Sequence, residues 1–393
     1  MQEIIRISEG KIQGTEIHFA FNVPLGVQKE LRPGMMKTDY GIPISMVPKE
    51  IAAISAVGSL LAYAWYYGAD IHVHQLDSTY AQNVRELRSM FDTKFPGQLR
   101  PSKLLVDEEV NSSDKTQRKG KGKGLLFSGG IDALSSYLEH KHNDLSLIYI
   151  VGAARGLTIQ GKRERVGRLA SFAGEAGIKL HLIKTNVRDL FNEKTIGDRL
   201  GKRYNRWWFL AFAPMFFGLA APLAYKQNWG GVLLSSAPSP DLDYIRAGLA
   251  ITDKYLGWSA CKAETAGSTY GWYEKIVKFV GPHIQREGAK GRRFKHLYSC
   301  GLSPQACNVC DKCRSVIISL LSLGINPNKC GYICNTNTLQ ETKMYLKEMH
   351  GFRLTTVWWK CFRKDLQDYS PKPVKNGDMY GIGKFLSWLC STR

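Results

Sequence analysis

The pattern of apolar and polar positions predicts strands and helices in the first 110 residues. Apolar and polar residues alternate at 16–23 and 70–76, as they do where one face of a strand is buried. Helix-like runs cover residues 49–67 and 80–91. Because this block carries no recognised catalytic motif, we expect residues 1–110 to form an accessory α+β domain for dimerisation or partner recognition.

After residue 124 the pattern changes to apolar strands that alternate with helix-length segments. Strand-like runs lie at residues 125–127, 147–151, 179–184 and 231–235, and helices are predicted from residue 133 and over residues 163–176. Apolar strands separated by helices are typical of a parallel sheet with both faces covered. We therefore predict an α/β fold with a doubly wound parallel sheet, in which ligands bind at the carboxyl ends of the strands.

A polar, basic and glycine-spaced segment separates these two parts. Its sequence, which includes Gly120-Lys-Gly-Lys-Gly124, is typical of a linker. A length of 393 residues suits two domains. We expect an accessory domain at 1–110, a basic linker at 111–123, a catalytic domain at 124–325 and a C-terminal extension at 326–393.

Residues 207–225 are apolar over a length that could cross a bilayer core. Pro214, Gly218 and Pro222 interrupt this run, and arginine and lysine flank both of its ends. Since soluble α/β patterns lie on either side, we interpret the run as one or two buried helices, and no membrane partner is expected. A membrane span is the alternative.

Basic residues outnumber acidic ones in this chain. It has 54 lysines and arginines against 34 aspartates and glutamates, which gives a formal net charge of +20. Such a surface favours phosphates, nucleic acid or an acidic protein, although charge alone does not identify the partner. The first residues lack the regions of a signal peptide, so we expect a cytoplasmic protein whose nine cysteines are reduced.

A glycine pair between a short apolar strand and a predicted helix is the sharpest feature of the expected catalytic domain. The loop reads Phe127, Ser128, Gly129, Gly130, Ile131, Asp132 and Ala133. Glycines allow successive N–H groups to converge on an anion, and the following helix adds its positive end. A tight turn capped by Ser128 or Asp132 would suit the same residues. The sequence contains no Walker-type Gly-x-x-x-x-Gly-Lys-Ser/Thr motif.

Four cysteines lie further along the chain at the spacing Cys-x6-Cys-x2-Cys-x2-Cys, namely Cys300, Cys307, Cys310 and Cys313. Four thiolates suit a tetrahedral zinc ion with a structural role, because no position remains for water. A redox pair, an iron–sulfur cluster and fortuitous clustering are the alternatives, and His296 could replace Cys300 as a ligand. Two other sets are expected to be partly buried side chains rather than ligands: Cys330 with Cys334, and His72 with His74.

The sequence from Ser128 to Asp132 resembles the signature Ser-Gly-Gly-x-Asp-Ser of the PP-loop ATP pyrophosphatases. These enzymes cleave ATP between its α and β phosphates, and the loop holds the departing pyrophosphate. The resemblance implies that residues 127–133 bind ATP with Mg²⁺, and that Ser128 and Asp132 take part in the reaction. Ala133 stands where the family has its second serine, with Ser135 and Ser136 further along the helix.

The order of the two motifs resembles that of the 7-cyano-7-deazaguanine synthase (QueC-like) family over residues 125–325. Those enzymes bind structural zinc through such cysteines and activate 7-carboxy-7-deazaguanine as its adenylate, for attack by an amine. Asp241 or Asp243 would then accept hydrogen bonds from the base, and Arg246 would meet a carboxylate or a phosphate. A surface turn ordered by proline is the alternative for this segment.

The blocks at both ends distinguish this chain from an ordinary synthase. Extended members of the family resemble proteins of bacterial anti-phage operons, in which the amine is the amino terminus of a partner protein. The resemblance thus implies an ATP-dependent C–N ligase of antiviral defence, which we expect to be a homodimer. An ordinary nitrile synthase that uses ammonia, a PP-loop enzyme acting on RNA and a nucleotide sensor without catalysis are the alternatives. Cys261 could be proposed as a nucleophile, but we expect a buried thiol.

Overall fold

The computed structural model describes most of the chain, namely residues 2–112, 120–153, 158–201, 204–236, 245–259, 261–291, 294, 296–297, 300, 303, 305–348, 353–369 and 379–391. Contacts divide the chain into two compact units. The sheet unit comprises Met1–Leu126, His142–Ala154 and Ile178–Ala266. The helical unit comprises Phe127–Lys141, Arg155–Gly177 and Gly267–Arg393.

All strands of the sheet unit belong to one sheet of eleven strands. They are β1 (Ile4–Ile7), β2 (Lys11–Gln13), β3 (Glu16–Asn22), β4 (Gly34–Asp39), β5 (Asp70–Asp77), β6 (Leu104–Val110), β7 (Lys123–Leu126), β8 (Leu145–Val151), β9 (Leu180–Thr185), β10 (Gly231–Ser235) and β11 (Lys262–Ala266). Their order is β11-β10-β7-β8-β9-β4-β3-β1-β5-β6, with β2 paired to β3. The predicted α/β class is confirmed.

The sheet is mixed and largely parallel, which corrects the expectation of a doubly wound parallel sheet. Pairings among β7 to β11 are parallel, whereas β4 pairs antiparallel with β9 through Thr38 and Thr185. Strands on both sides of residues 111–123 therefore share one sheet. Apolar periodicity predicts that a segment is a strand, but it contains no information about the strand's partner.

Helices of the sheet unit pack into its core. They are α1 (Lys49–Tyr67), α2 (Ser78–Lys94), α5 (Glu193–Leu200), α6 (Tyr204–Gln227) and α7 (Ala250–Asp253). The bounds of α1 agree with the predicted ones, and its residues from Glu50 to Tyr66 are buried. Asp77 caps α2 by accepting a hydrogen bond from the backbone N–H of Tyr80.

The long apolar run forms the single helix α6, with Pro214 and Pro222 inside it. By length and composition, Trp207–Gln227 could cross a membrane, but 78% of its most apolar window is buried inside the protein. It packs on α1. The interpretation as a buried core helix is thus supported by its surroundings, and one helix accounts for the whole run.

The helical unit contains the remaining helices. They are α3 (Ile131–His140), α4 (Ile159–Ala176), α8 (Trp272–Lys275), α9 (Gly281–Ala289), α10 (Asp311–Ser322), α11 (Thr338–Glu348), α12 (Arg353–Asp368) and α13 (Ile382–Ser391). A π-helical stretch, Ile276–Val280, joins α8 to α9. Helices of the expected C-terminal extension pack within this unit, α12 on α8 and α13 on α10.

Candidate functional site

The two-glycine loop has the strand–turn–helix form expected from the sequence. It follows β7 directly, Gly129 adopts a φ of 75°, and Gly130 is the residue that precedes α3. A positive φ is readily adopted by glycine and strained for other residues. The Ser128 hydroxyl accepts a long hydrogen bond of 3.4 Å from the N–H of Gly130.

The start of α3 offers backbone donors to a ligand. Its cap residue, Gly130, has no side chain, and within the described residues no side chain caps the helix. The first N–H groups of a helix lack partners inside the helix, and they lie at the positive end of its dipole. The loop geometry suits an anion at the helix start, and it also suits the tight turn in which Ser128 accepts from the N–H of Gly130.

Asp132, in the first turn of α3, pairs with a lysine that sequence reasoning missed. The ammonium of Lys275 lies 2.7 Å from its carboxylate. Lys275 has a fully buried side chain, while that of Asp132 is 38% exposed. The two residues are 143 positions apart, so no local pattern could have linked them. A buried ammonium requires such a partner, because an isolated charge is costly away from water.

The four predicted cysteines come together in the helical unit. Their sulfur atoms all lie within 4.8 Å of one another. The sulfur atoms of Cys307 and Cys313 are 3.8 Å apart. Two Zn–S bonds of ~2.3 Å in a tetrahedral site would place the sulfurs at about the same separation. In the described part of the chain this is the only such group of three or more potential ligands. The group could hold a metal ion such as zinc.

Local backbone geometry prepares two of these thiols for a metal. Cys310 precedes α10 and Cys313 lies in its first turn, so a Cys-x2-Cys arc wraps the helix start. Hydrogen bonds from the thiol and the backbone N–H of Cys313 lower the pKa of Cys310 to about 5. The hydrogen bond that the Cys313 thiol donates to Cys310, together with burial, raises the pKa of Cys313. A thiolate at neutral pH is the form that metals bind.

Two arginines hold the cysteine loop from different helices. Arg165 of α4 donates to the carbonyl oxygens of Cys300, at 3.0 Å, and Ser303, at 3.3 Å. Arg314 donates to the Val309 carbonyl at 2.8 Å, and its guanidinium lies over the ring of Tyr345. Groups behind the ligands orient a metal site and tune it.

The rival ligands lie elsewhere. His296 is 2.9 Å from the carboxylate of Glu175, and its ring packs against Phe172. Cys330 and Cys334 are buried, and burial raises the pKa of Cys330 to about 11. These three residues are outside the cysteine group.

The histidine pair of β5 contacts a carboxylate instead of forming a metal-binding group. His72 and His74 lie 2.9 Å and 3.1 Å from the two oxygens of Asp107, on the neighbouring strand β6. Both rings are partly exposed. His72 is partly buried, as expected, whereas His74 is exposed.

The proposed substrate residues are only partly described. Asp241 and Asp243 lie outside the described residues. Arg246 belongs to the sheet unit, and its guanidinium lies 6.0 Å from the centre of the Phe209 ring. Cys261 is buried, and burial raises its pKa far above the usual range, as expected for an inert thiol.

A buried aspartate near Arg246 was not anticipated. Asp253 accepts hydrogen bonds from the N–H groups of Gly248 and Leu249 and from the hydroxyl of Thr265. It therefore fixes the turn that follows Arg246. Burial raises the pKa of its carboxyl to about 6.

Comparison with known proteins adds no family. The chain matches no protein-family model, and it has no significant match among curated proteins.

Proposed function

We propose that the chain is an ATP-dependent ligase that activates an acid as its adenylate and couples it to an amine. One observation carries the proposal, namely the two-glycine loop that leads from β7 to the uncapped start of α3. Donors at a helix start bind phosphate and stabilise the charge that builds on a departing pyrophosphate. Such chemistry requires positioning and electrostatics rather than a protein nucleophile.

The proposed reaction has two steps. A carboxylate oxygen of the acid attacks the α-phosphorus of ATP, the bond between that phosphorus and its bridging oxygen breaks, and pyrophosphate leaves. The amine nitrogen then attacks the acyl carbon, AMP leaves with the bonding electron pair, and the nitrogen loses one proton. Residues 127–133 would hold the pyrophosphate, with Ser128 and Asp132 closest to the chemistry. Mg²⁺ would neutralise part of the phosphate charge.

The acid we propose is 7-carboxy-7-deazaguanine, from the resemblance in the order of the two motifs. Asp241 or Asp243 would bind the base, and Arg246 would bind a carboxylate or a phosphate. The amine we propose is the amino terminus of a partner protein, in an antiviral role. Ammonia is the alternative: it would give the amide, and a second ATP would then adenylate the amide oxygen, so that AMP leaves and the nitrile forms, as in an ordinary nitrile synthase. Zinc at the cysteine group would be structural.

The compartment and assembly belong to the same proposal. All nine cysteines are free thiols, a state that a reducing cytoplasm maintains. We propose a cytoplasmic homodimer.

An enzyme that acts on RNA is a second candidate, and the net charge of +20 favours it. Charge neutralisation at phosphates makes such binding steeply dependent on salt. RNA binding that falls steeply between low and moderate salt, with RNA-dependent pyrophosphate release, would select this candidate over the first.

The test is to incubate the protein with ATP, Mg²⁺ and 7-carboxy-7-deazaguanine, with ammonia, with a candidate partner protein or with neither. Pyrophosphate release and product masses are measured. We expect pyrophosphate only when the acid is present, and a partner whose first residue gains the deazaguanine acyl mass. If no condition releases pyrophosphate, the adenylation proposal is wrong. Nitrile formation with ammonia alone would identify an ordinary synthase instead.

A further inference from the structure

Within α8, Glu274 accepts a hydrogen bond from the N–H of Gly271 at 3.1 Å, and helix α12 supplies the acceptor for the next two N–H groups. The residue before α8 is Gly271, which has no side chain to bind the first N–H groups. Asp365 of α12 accepts hydrogen bonds from the N–H groups of Trp272 and Tyr273, the latter at 3.3 Å. A Cβ on Gly271 would lie 2.5 Å from the Asp365 carboxylate, so the carboxylate takes the place of a local capping side chain.

Two further side chains, one in α12 and one directly after it, contact α8 from the same side. Phe362, which is 2% exposed, packs edge-on against the rings of Trp272 and Tyr273. Tyr369, directly after α12, forms a hydrogen bond with Glu274. Positions 362, 365 and 369 follow the helical spacing of one face. The first three residues of α8 therefore contact this face.

Lys275 is the last residue of α8, and it depends on where that helix begins. Its buried ammonium reaches Asp132 at 2.7 Å. Without the Asp365 carboxylate, two backbone N–H groups in the first turn of α8 would have no acceptor. The position of the Lys275 side chain would then no longer be fixed. An uncompensated Asp132 at the start of α3 would then repel an anion bound to the same helix end.

We infer that α12 is a positioning element of the phosphate loop, and that Asp365 holds Lys275 against Asp132 by capping α8. This inference rests on the proposed ATP chemistry for its functional consequence. Lys275 offsets the charge of Asp132, so the loop and the start of α3 keep a positive field for pyrophosphate. A role in the nucleotide site thus falls to a segment of the C-terminal extension.

The test compares variants of the full chain. Asp365→Ala removes the cap, Asp365→Asn keeps one acceptor oxygen, and Asp368→Ala is the matched control, because Asp368 is an exposed carboxylate on the same helix. Lys275 is also replaced, alone and together with Asp365→Ala, by the uncharged Met. Circular dichroism checks that each variant is folded.

The first measurement is acetylation of lysines by a water-soluble reagent, with mass-spectrometric mapping of position 275. We expect Lys275 to be protected in the wild type, in Asp368→Ala and largely in Asp365→Asn. In Asp365→Ala its labelling rate should rise about tenfold, as a buried group becomes accessible. Continued protection in Asp365→Ala would overturn the inference. This result does not depend on ATP turnover, so it stands even if the proposed function fails.

The second measurement is acid-dependent pyrophosphate release. Asp365→Ala and Lys275→Met should each lower the rate about tenfold, and the double variant should be no slower than Lys275→Met, because the two residues act through one contact. Asp365→Asn should recover most of the activity. Additive losses in the double variant would show that Asp365 acts independently of Lys275 and would overturn the positioning role.

Discussion

Gly58 of α1 lies so close to Pro214 of α6 that a methyl group at position 58 would overlap with the Pro214 carbonyl oxygen. On the other helix, a Cβ at Gly218 would lie 2.8 Å from the carbonyl oxygen of Ile54. The two helices therefore cross backbone to backbone. We predict that Gly58→Ala lowers the free energy of unfolding by roughly 2–3 kcal/mol, because the added methyl group overpacks the core against backbone atoms. Urea denaturation measures the change.

Gly167 of α4 provides the matched control for that prediction. It also lies inside a helix, but it is exposed and has no atom within 4 Å of a Cβ added to it. Gly167→Ala should stabilise the protein by up to about 1 kcal/mol, because alanine loses less backbone entropy in a helix. Equal effects of the two substitutions would contradict the close crossing of α1 and α6.

The two-glycine loop should be sensitive to a side chain at Gly129. Its φ of 75° is strained for alanine, by about 1–2 kcal/mol. Relief of this strain would turn the loop's N–H groups away from the anion. We predict that Gly129→Ala lowers acid-dependent pyrophosphate release by about a hundredfold, the scale of losing a preorganised donor. A pyrophosphate-coupled assay measures the rate.

A substitution at Gly177, the residue that follows α4, is the control for the effect of backbone strain alone. Its φ is 63°, and a Cβ there meets no neighbour. Gly177→Ala should therefore carry a similar loss of stability and leave pyrophosphate release unchanged. If both variants lose activity in proportion to stability, the loop has no special role.

Local patterns predicted the elements of this fold better than their partners. The bounds of α1 follow from its apolar run. Helix α4 was predicted over residues 163–176, but it begins at Ile159, because Thr158 caps it through the N–H of Gly161. The pairing of β4 with β9 depends on residues such as Thr38 and Thr185, which are far apart in the chain. No periodicity encodes such a pairing.

The same limit applies to the candidate sites. The cysteine group was predictable, because three of its ligands lie within one short arc at the start of α10. The partner of Asp132 was not, because Lys275 comes from a helix whose start is fixed by Asp365 of another helix. Tertiary packing supplies both contacts, and a single sequence contains no direct signal for them.

The cysteine group should bind one zinc ion and stabilise the helical unit. Cys310→Ser removes a thiol of low pKa and leaves three ligands. We predict loss of the metal and a fall of several kcal/mol in the free energy of unfolding, because metal binding adds to folding free energy. Metal analysis and thermal melting, with and without a chelator, measure both effects.

Cys361 serves as the control for the zinc prediction. It is exposed on α12 and does not belong to the cysteine group. Cys361→Ser should keep the metal and melt like the wild type. A Cys310→Ser protein that retains zinc at full occupancy would rule out the four-cysteine site.

Asp253 should make stability depend on pH in an unusual direction. Burial raises its pKa to about 6 in the folded protein, whereas an unfolded aspartate titrates near ~3.9. Below pH ~4 both states hold the proton, so the carboxyl costs nothing. As the pH rises, the unfolded state loses its proton first, and this favours unfolding until the folded carboxyl ionises at about 6.

The contribution of Asp253 therefore falls by roughly 3 kcal/mol between pH ~4 and ~7 and is constant above that range. Asp253→Asn cannot titrate, so the difference between the two proteins isolates this effect, and zinc loss in acid affects both alike. Relative to the variant, the wild type should be more stable by that amount at pH ~4 than at pH ~8. Urea denaturation at several pH values measures the difference. A difference that stays constant would mean that Asp253 titrates alike in both states, and that the turn after Arg246 is open to water.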